Sequence, residues 1–202
     1  MKKNTLVAAV VLATALPFGA FAAITTGQLT FNWQGVVPAA PVNSDAWAFV
    51  DGLDIPYTPG TEQLNILVDP ATKDASIASV KPYDFFIVPV TGPVTPGVAV
   101  TRGAGPMNNM KAFLATNPIS GGFVSNKQLA PAAGPQAVNG EVAVTLNGQI
   151  MKVGSTNAVT ITPTAATEAH VLVDINAKAA SADVQEGASV SFTAPVIFSV
   201  DI

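Results

Sequence analysis

The sequence contains no cysteine and a single histidine, His170. The first absence removes disulfide staples, thiol nucleophiles and thiolate metal sites; the second leaves zinc without its usual ligand set. Charged residues make up only 11% of the chain. Lys and Arg are too few and too scattered to neutralise a phosphate backbone, which excludes nucleic acid and anionic lipid as partners. Beyond the first twenty-odd residues no apolar run reaches the ~20 residues that span a bilayer. Helix signals are also scarce.

The N-terminus has the order of a secretory leader. Met1-Lys2-Lys3 is a basic start, Leu6 to Leu16 a short apolar run, and Ala20-Phe21-Ala22 a small-x-small cleavage site. Cleavage is expected after Ala22, with Ala23 as the alternative. Removing those 22 of 202 residues leaves 180; with Lys2 and Lys3 gone, seven basic residues face thirteen acidic ones, a net charge of −6. That length buries a real core as one domain, so an oxidising compartment does not oblige the chain to carry disulfides.

Proline and glycine are plentiful, sixteen of each, and they punctuate the chain about every ten residues. Short alternating apolar runs lie between them, the pattern of an all-β sandwich or barrel. Strands are expected at Leu29–Gln34, Trp47–Val50, Leu64–Val68, Val142–Leu146, Ile150–Val153, Val159–Ile161 and Val171–Ile175. Asp84–Val90 is apolar on both faces and reads as a buried central strand, with Pro89 limiting its pairing. Asn147-Gly148 between two apolar runs predicts a type I′ hairpin. The last run is the most regular: Val190, Phe192, Ala194, Val196, Phe198, Val200 and Ile202 share one parity, predicting one continuous strand. Asn108–Ala115 is expected to form one or two helical turns with Met110, Phe113 and Leu114 inward. Leu129–Ala137 reads as a loop. No repeat or linker divides the chain.

Chemistry-bearing groups do not assemble into a recognisable site, and no catalytic, cofactor-binding or metal-ligating residue is assigned. His170 falls on the strand face opposite Val171, Val173 and Ile175, which reads as surface, and no G-x-S-x-G elbow accompanies it. Asp51 and Asp54 flank Gly52-Leu53; a turn accounts for them without calcium. Gly103-Ala104-Gly105 and Gly121-Gly122 lack the strand-then-helix setting of a phosphate loop.

The two ends carry more. Along the N-terminal segment Gly27, Leu29, Phe31, Trp33 and Gly35 share one face, and Thr26, Gln28, Thr30, Asn32 and Gln34 the other. The sequence closes on the alternating run to Ile202. Terminal strands of this kind invite strand addition between chains; two ordinary strands of a closed sandwich would read the same way.

The run Gly27 to Pro38 resembles the opening of pilin subunits of the chaperone–usher pathway, and so does the alternating strand Val190–Ile202 with Gly187 upstream. Trp47–Pro56 and Val80–Val90 are similar to cysteine-free major subunits of enteric colonisation-factor fimbriae. The resemblance covers most of the mature chain, and its specificity comes from combining short motifs with the leader, the size and the lack of cysteine. It implies an incomplete immunoglobulin-like β-sandwich completed by a donor strand, with residues 23–35 as a donor extension and 36–202 as the pilin domain. It implies polymerisation with identical subunits by donor-strand exchange, a periplasmic chaperone, an outer-membrane usher, a host receptor and a place in a fimbria at the cell surface. Carried onto this chain, the donor strand is Ile24, Gly27, Leu29, Phe31 and Trp33. The acceptor groove is edged by Val190, Phe192, Val196, Phe198, Val200 and Ile202. Departures are the missing disulfide near the first strand and Asp201 where many pilins have a penultimate aromatic. Two alternatives stand beside this reading: a minor or tip adhesin binding a host glycan or protein, and an exported β-sandwich hydrolase.

Overall fold

The computed structural model describes residues 46–201, apart from Gln185, Glu186 and Ala188. The expected leader, the donor residues Ile24, Gly27, Leu29, Phe31 and Trp33, and Ile202 lie outside the described residues. In chain order the strands are β1 Ala46–Val50, β2 Leu64–Val68, β3 Asp74–Ser79, β4 Tyr83–Val90, β5 Asn108–Leu114, β6 Ile119–Gly121 and β7 Ala130–Pro131. There follow β8 Glu141–Leu146, β9 Gln149–Ile150, β10 Val159–Thr160, β11 Ala169–Ala180, β12 Ser191–Thr193 and β13 Val196–Asp201. Among the described residues the only helical pieces are three-residue 3-10 turns.

The larger sheet is built on β11. Along one edge β11 pairs antiparallel with β4 and then with β3, and along the other with β8. β1 flanks β4 and β2 flanks β3. The second layer is β10-β5-β13, with the short β12-β6 pair beside it. Inward residues of both layers form one core. Phe49, Phe85, Ile87, Val144 and Val171 from the large sheet meet Met110, Ala112, Leu114 and Val159 from the small one. Antiparallel pairing in two packed layers makes this a β-sandwich of the immunoglobulin-like kind.

The strand expectations in the described region hold in outline. β4 is paired on both sides and buried from Ile87 to Val90, the central strand its apolar run implied. Asn147 (φ 49°) and Gly148 (φ 77°) turn β8 into β9, both with the positive φ a type I′ turn requires. Buried Val88 and Val90 also cover the outer side of the sheet, where Val94 and Val100 of the following loop pack on them. That explains why β4 is apolar on both faces.

Two expectations are corrected, and one strand, β3, was not expected. Asn108–Ala115 is strand β5, not helix: Met110, Ala112 and Leu114 alternate into the core, and period two overrides the i, i+3, i+4 reading of Met110, Phe113 and Leu114. The run Val190–Ile202 is not one continuous strand. Ala194-Pro195 breaks it, so that β12 pairs with β6 and β13 with β5, and a bulge follows between Ser199 and Asp201. Pro195 has no N–H for a ladder, although its carbonyl accepts from Ala115 N at 2.9 Å. β3 went unread because its alternation is carried by Ala75 and Ile77 between serines and alanines, poor strand formers.

Candidate functional site

Two strand edges stop short of each other. Among the described residues β2 pairs with β3 alone, β12 with β6 alone and β13 with β5 alone, so each has one row of backbone groups with no described strand beside it. Between these edges runs a groove of about 510 Å³. Leu64 and Ile66 of β2 form one wall. Val190, Phe192, Val196 and Phe198 form the other, and Phe85, Val144, Val173 and Ile175 supply an apolar floor.

Of the residues expected on the edge, Val190, Phe192, Val196 and Phe198 therefore line the groove. Val200 packs against the main core and is not among the lining residues. The second wall and the floor were not assigned from sequence: Leu64 and Ile66 were legible as a strand, but nothing local says that its far edge is left open.

Local structure fixes each wall. Phe198 is locked by edge-on contacts with Phe49 (5.0 Å) and Phe85 (5.9 Å). Phe192 packs on Phe123 at 6.0 Å. β6, which carries β12, has its other side completed by a side chain: Gln128 Oε1 accepts from Ser120 N at 2.9 Å and Gln128 Nε2 donates to Ser120 O at 2.8 Å. Gly122 lies against the approach to β12. It has φ +85°, and a Cβ there would fall 2.4 Å from Ser189 O. The Gly121-Gly122 pair thus serves close backbone approach.

One end of the groove is aromatic. Tyr57 stacks on Phe85 at 4.9 Å, and Tyr83 Oη donates to Gly60 O at 2.9 Å. Burial pushes the Tyr57 hydroxyl up to about 12, with Tyr83, Glu62 and Asp84 adding to the shift. Burial likewise raises Tyr83. Both phenols stay neutral at ordinary pH. Among the described residues, Glu62 and Asp174 are the charged side chains on the lining, and both are acids.

The other candidates resolve into structure. His170 bonds through Nε2 to Asp84 at 2.7 Å and stacks on Phe86 at 4.7 Å; among the described residues no hydroxyl bonds to its ring. Asp51 Oδ1 accepts from the Leu53 and Ile55 amides at 2.8 and 3.0 Å, a turn-closing arrangement. Asp54 (φ 62°) pairs with Arg102, which also reaches Glu168 at 2.6 Å. Gly103 N donates to Pro89 O at 2.8 Å, tying its loop to the end of β4. No three potential metal ligands cluster among the described residues.

Among the described residues the geometry is that of two edge ladders over an apolar floor, with no reactive constellation. The comparisons agree in kind. No protein-family model matches the chain. A CS5 fimbrial subunit of Escherichia coli is 56% identical over 204 residues, covering the whole of both chains. The chain therefore belongs to the fimbrial subunits, structural proteins rather than enzymes.

Proposed function

We propose that the groove is an acceptor for a strand from another chain and that the protein polymerises into a surface fimbria by donor-strand exchange. The occupant in the fibre is the Ile24–Trp33 segment of the next identical subunit. Before assembly it is a strand of a periplasmic chaperone, replaced at an outer-membrane usher. The observation that carries this reading is the pair of unpaired edges, β2 and β12–β13, flanking an apolar floor. The donor segment complements it. The side chains of residues 23–44 carry no charge, suited to a groove whose described lining has two acids and no base. Leu29, Phe31 and Trp33 share one face, and burying them is worth on the order of 5–9 kcal/mol before ordering costs. Each new ladder bond adds about 1 kcal/mol net.

Residues 1–22 direct export and are removed on translocation, and the assembled fibre supports adhesion to host cells; binding of purified fibres to host glycans tests that role. The donor-strand test is a fusion. A flexible linker and a copy of Ile24–Gly35 are placed after Ile202, and the native N-terminal segment is deleted. A soluble monomer unfolding at much higher denaturant than the truncated, unfused chain is expected. Equal stability of the two would refute strand complementation.

A further inference from the structure

Two pairs of like charges lie on opposite faces of the sandwich. On β5, Lys111 and Phe113 alternate with the buried Met110, Ala112 and Leu114, so they point away from the core. Phe113 lies opposite Ile197 of β13, which is 45% exposed. Lys152 follows buried Met151 and is itself exposed; its carbonyl accepts from Leu114 N at 3.0 Å, which sets it beside the same strand. Neither Lys111 nor Lys152 has an ion-pair partner among the described residues. Lys81, Arg102, Lys127 and Lys178 are all paired, and Lys73 sits in the β2–β3 turn.

The outward side of the large sheet has the opposite sign. Asp84 of β4 stands across from Leu172 of β11, and Asp174 lies two residues further along β11 on the same face. Asp84 bonds to His170 and Asp174 to the Ser79 hydroxyl, but neither pairs with a Lys or Arg among the described residues. Both carboxylates are exposed. Each face thus presents two like charges beside apolar side chains, Phe113 and Ile197 on one, Leu172 and Phe86 on the other.

The two sheets meet core to core, so these faces look in opposite directions. A surface that complements a different surface on the same molecule makes a heterologous contact, which repeats without closing when the copies form a filament. Opposite potentials fix the register of such a contact. We propose that the β5–β13 face of one subunit, through Lys111 and Lys152, docks against the β4–β11 face of another copy, through Asp84 and Asp174, as a side-to-side contact that compacts the fibre. This rests on membership of the fimbrial subunits and goes beyond strand exchange, since the contact is made by outward side chains, of which only Asp174 also rims the groove.

The test uses whole fibres, with mass per unit length read by electron microscopy. Raising salt from about 0.1 M to about 1 M shortens the Debye length from ~10 Å to ~3 Å, and wild-type fibres should loosen and lose mass per length. The variant Lys111→Glu/Lys152→Glu should be loose at low salt as well. Adding Asp84→Lys to that variant should restore compact fibres; Asp174 is left unchanged because it also rims the groove. Multimer length by size-exclusion chromatography in 1 M salt reports strand exchange separately and should be unaffected throughout. Salt-insensitive fibres, compact fibres in the double variant, or failure of Asp84→Lys to restore them would each overturn the proposal. So would a loss confined to binding of an anionic glycan, which would make the basic face a receptor site. Short multimers in every sample would instead count against strand exchange.

Discussion

Phe198 of β13 meets Phe49 of β1 edge-on, ring centroids 5.0 Å apart and planes at 71°. Phe85 closes a triangle with both, at 5.9 Å from Phe198 and 5.5 Å from Phe49. This contact ties the last described strand to the first across the layers, although no ladder joins them. Phe198 is only half-buried, so Phe198→Ala should cost about 2–4 kcal/mol, toward the lower side of core phenylalanine truncations. Urea unfolding of the fused single-chain subunit checks this as a lowered midpoint with an unchanged slope. An unmoved midpoint would show that the aromatic triangle does not hold β13.

Gln128 stands in for a missing strand beside β6. Truncation to Ala leaves the Ser120 N–H without the Gln128 acceptor and its carbonyl without the Gln128 donor, in a part-buried setting. The expected loss is about 1–3 kcal/mol, the range for stranded buried polar groups. It should appear locally first. Hydrogen exchange of the β6 and β12 amides should quicken in Gln128→Ala while that of β4 and β11 stays as in the wild type. Uniform acceleration across all four strands would contradict a local role.

The sequence legibly carried whatever is encoded by neighbouring residues. The Asn147-Gly148 turn, the parity of Val190 to Val200 and the two-faced run of β4 each follow from side-chain period or turn chemistry. Breaks in pairing are not so encoded. Pro195 marks the switch from β12 to β13, yet a proline at a strand edge is common enough to leave a continuous strand plausible. β5 mixes Met110, Phe113 and Leu114 in a spacing that suits a helix, and only burial against Val159 and Ile161 decides for the strand. The groove is the hardest case. Its two walls, Leu64–Ile66 and Val190–Phe198, are more than a hundred residues apart. An open edge is the absence of a partner, which no local pattern records.

Stability should fall in alkali because of the groove's phenols. Tyr57 titrates at about 12 in the fold, pushed up by burial and then by Tyr83, Glu62 and Asp84, against ~10 for an unfolded tyrosine. A raised pKa means that the folded state holds the proton more tightly. Its contribution is complete below pH ~10 and declines as pH rises from there through about 12. Tyr83 is raised as well and adds in the same direction. Thermal midpoints measured from pH 9 to 12 should drop, and Tyr57→Phe should make the drop shallower without abolishing it. An unchanged slope in Tyr57→Phe would assign the decline elsewhere.

Ile66 and Leu67 are adjacent on β2 and separate burial from acceptor function. Both are exposed, Ile66 at 40% and Leu67 at 62%. Successive side chains on a strand point to opposite faces, and only Ile66 lines the groove. Leu67→Asp removes apolar surface that already faces solvent and should leave both subunit stability and multimer length unchanged. Ile66→Asp places a third carboxylate on a lining that already carries Glu62 and Asp174, beside the apolar floor of Phe85, Val144, Val173 and Ile175. It should shorten multimers sharply. The free subunit should be little affected, because an exposed side chain loses little on becoming charged. Size-exclusion chromatography of assembly reactions, run beside denaturant curves of the two unassembled variants, distinguishes the faces. Equal assembly by Ile66→Asp and Leu67→Asp would mean that the incoming strand does not lie against β2.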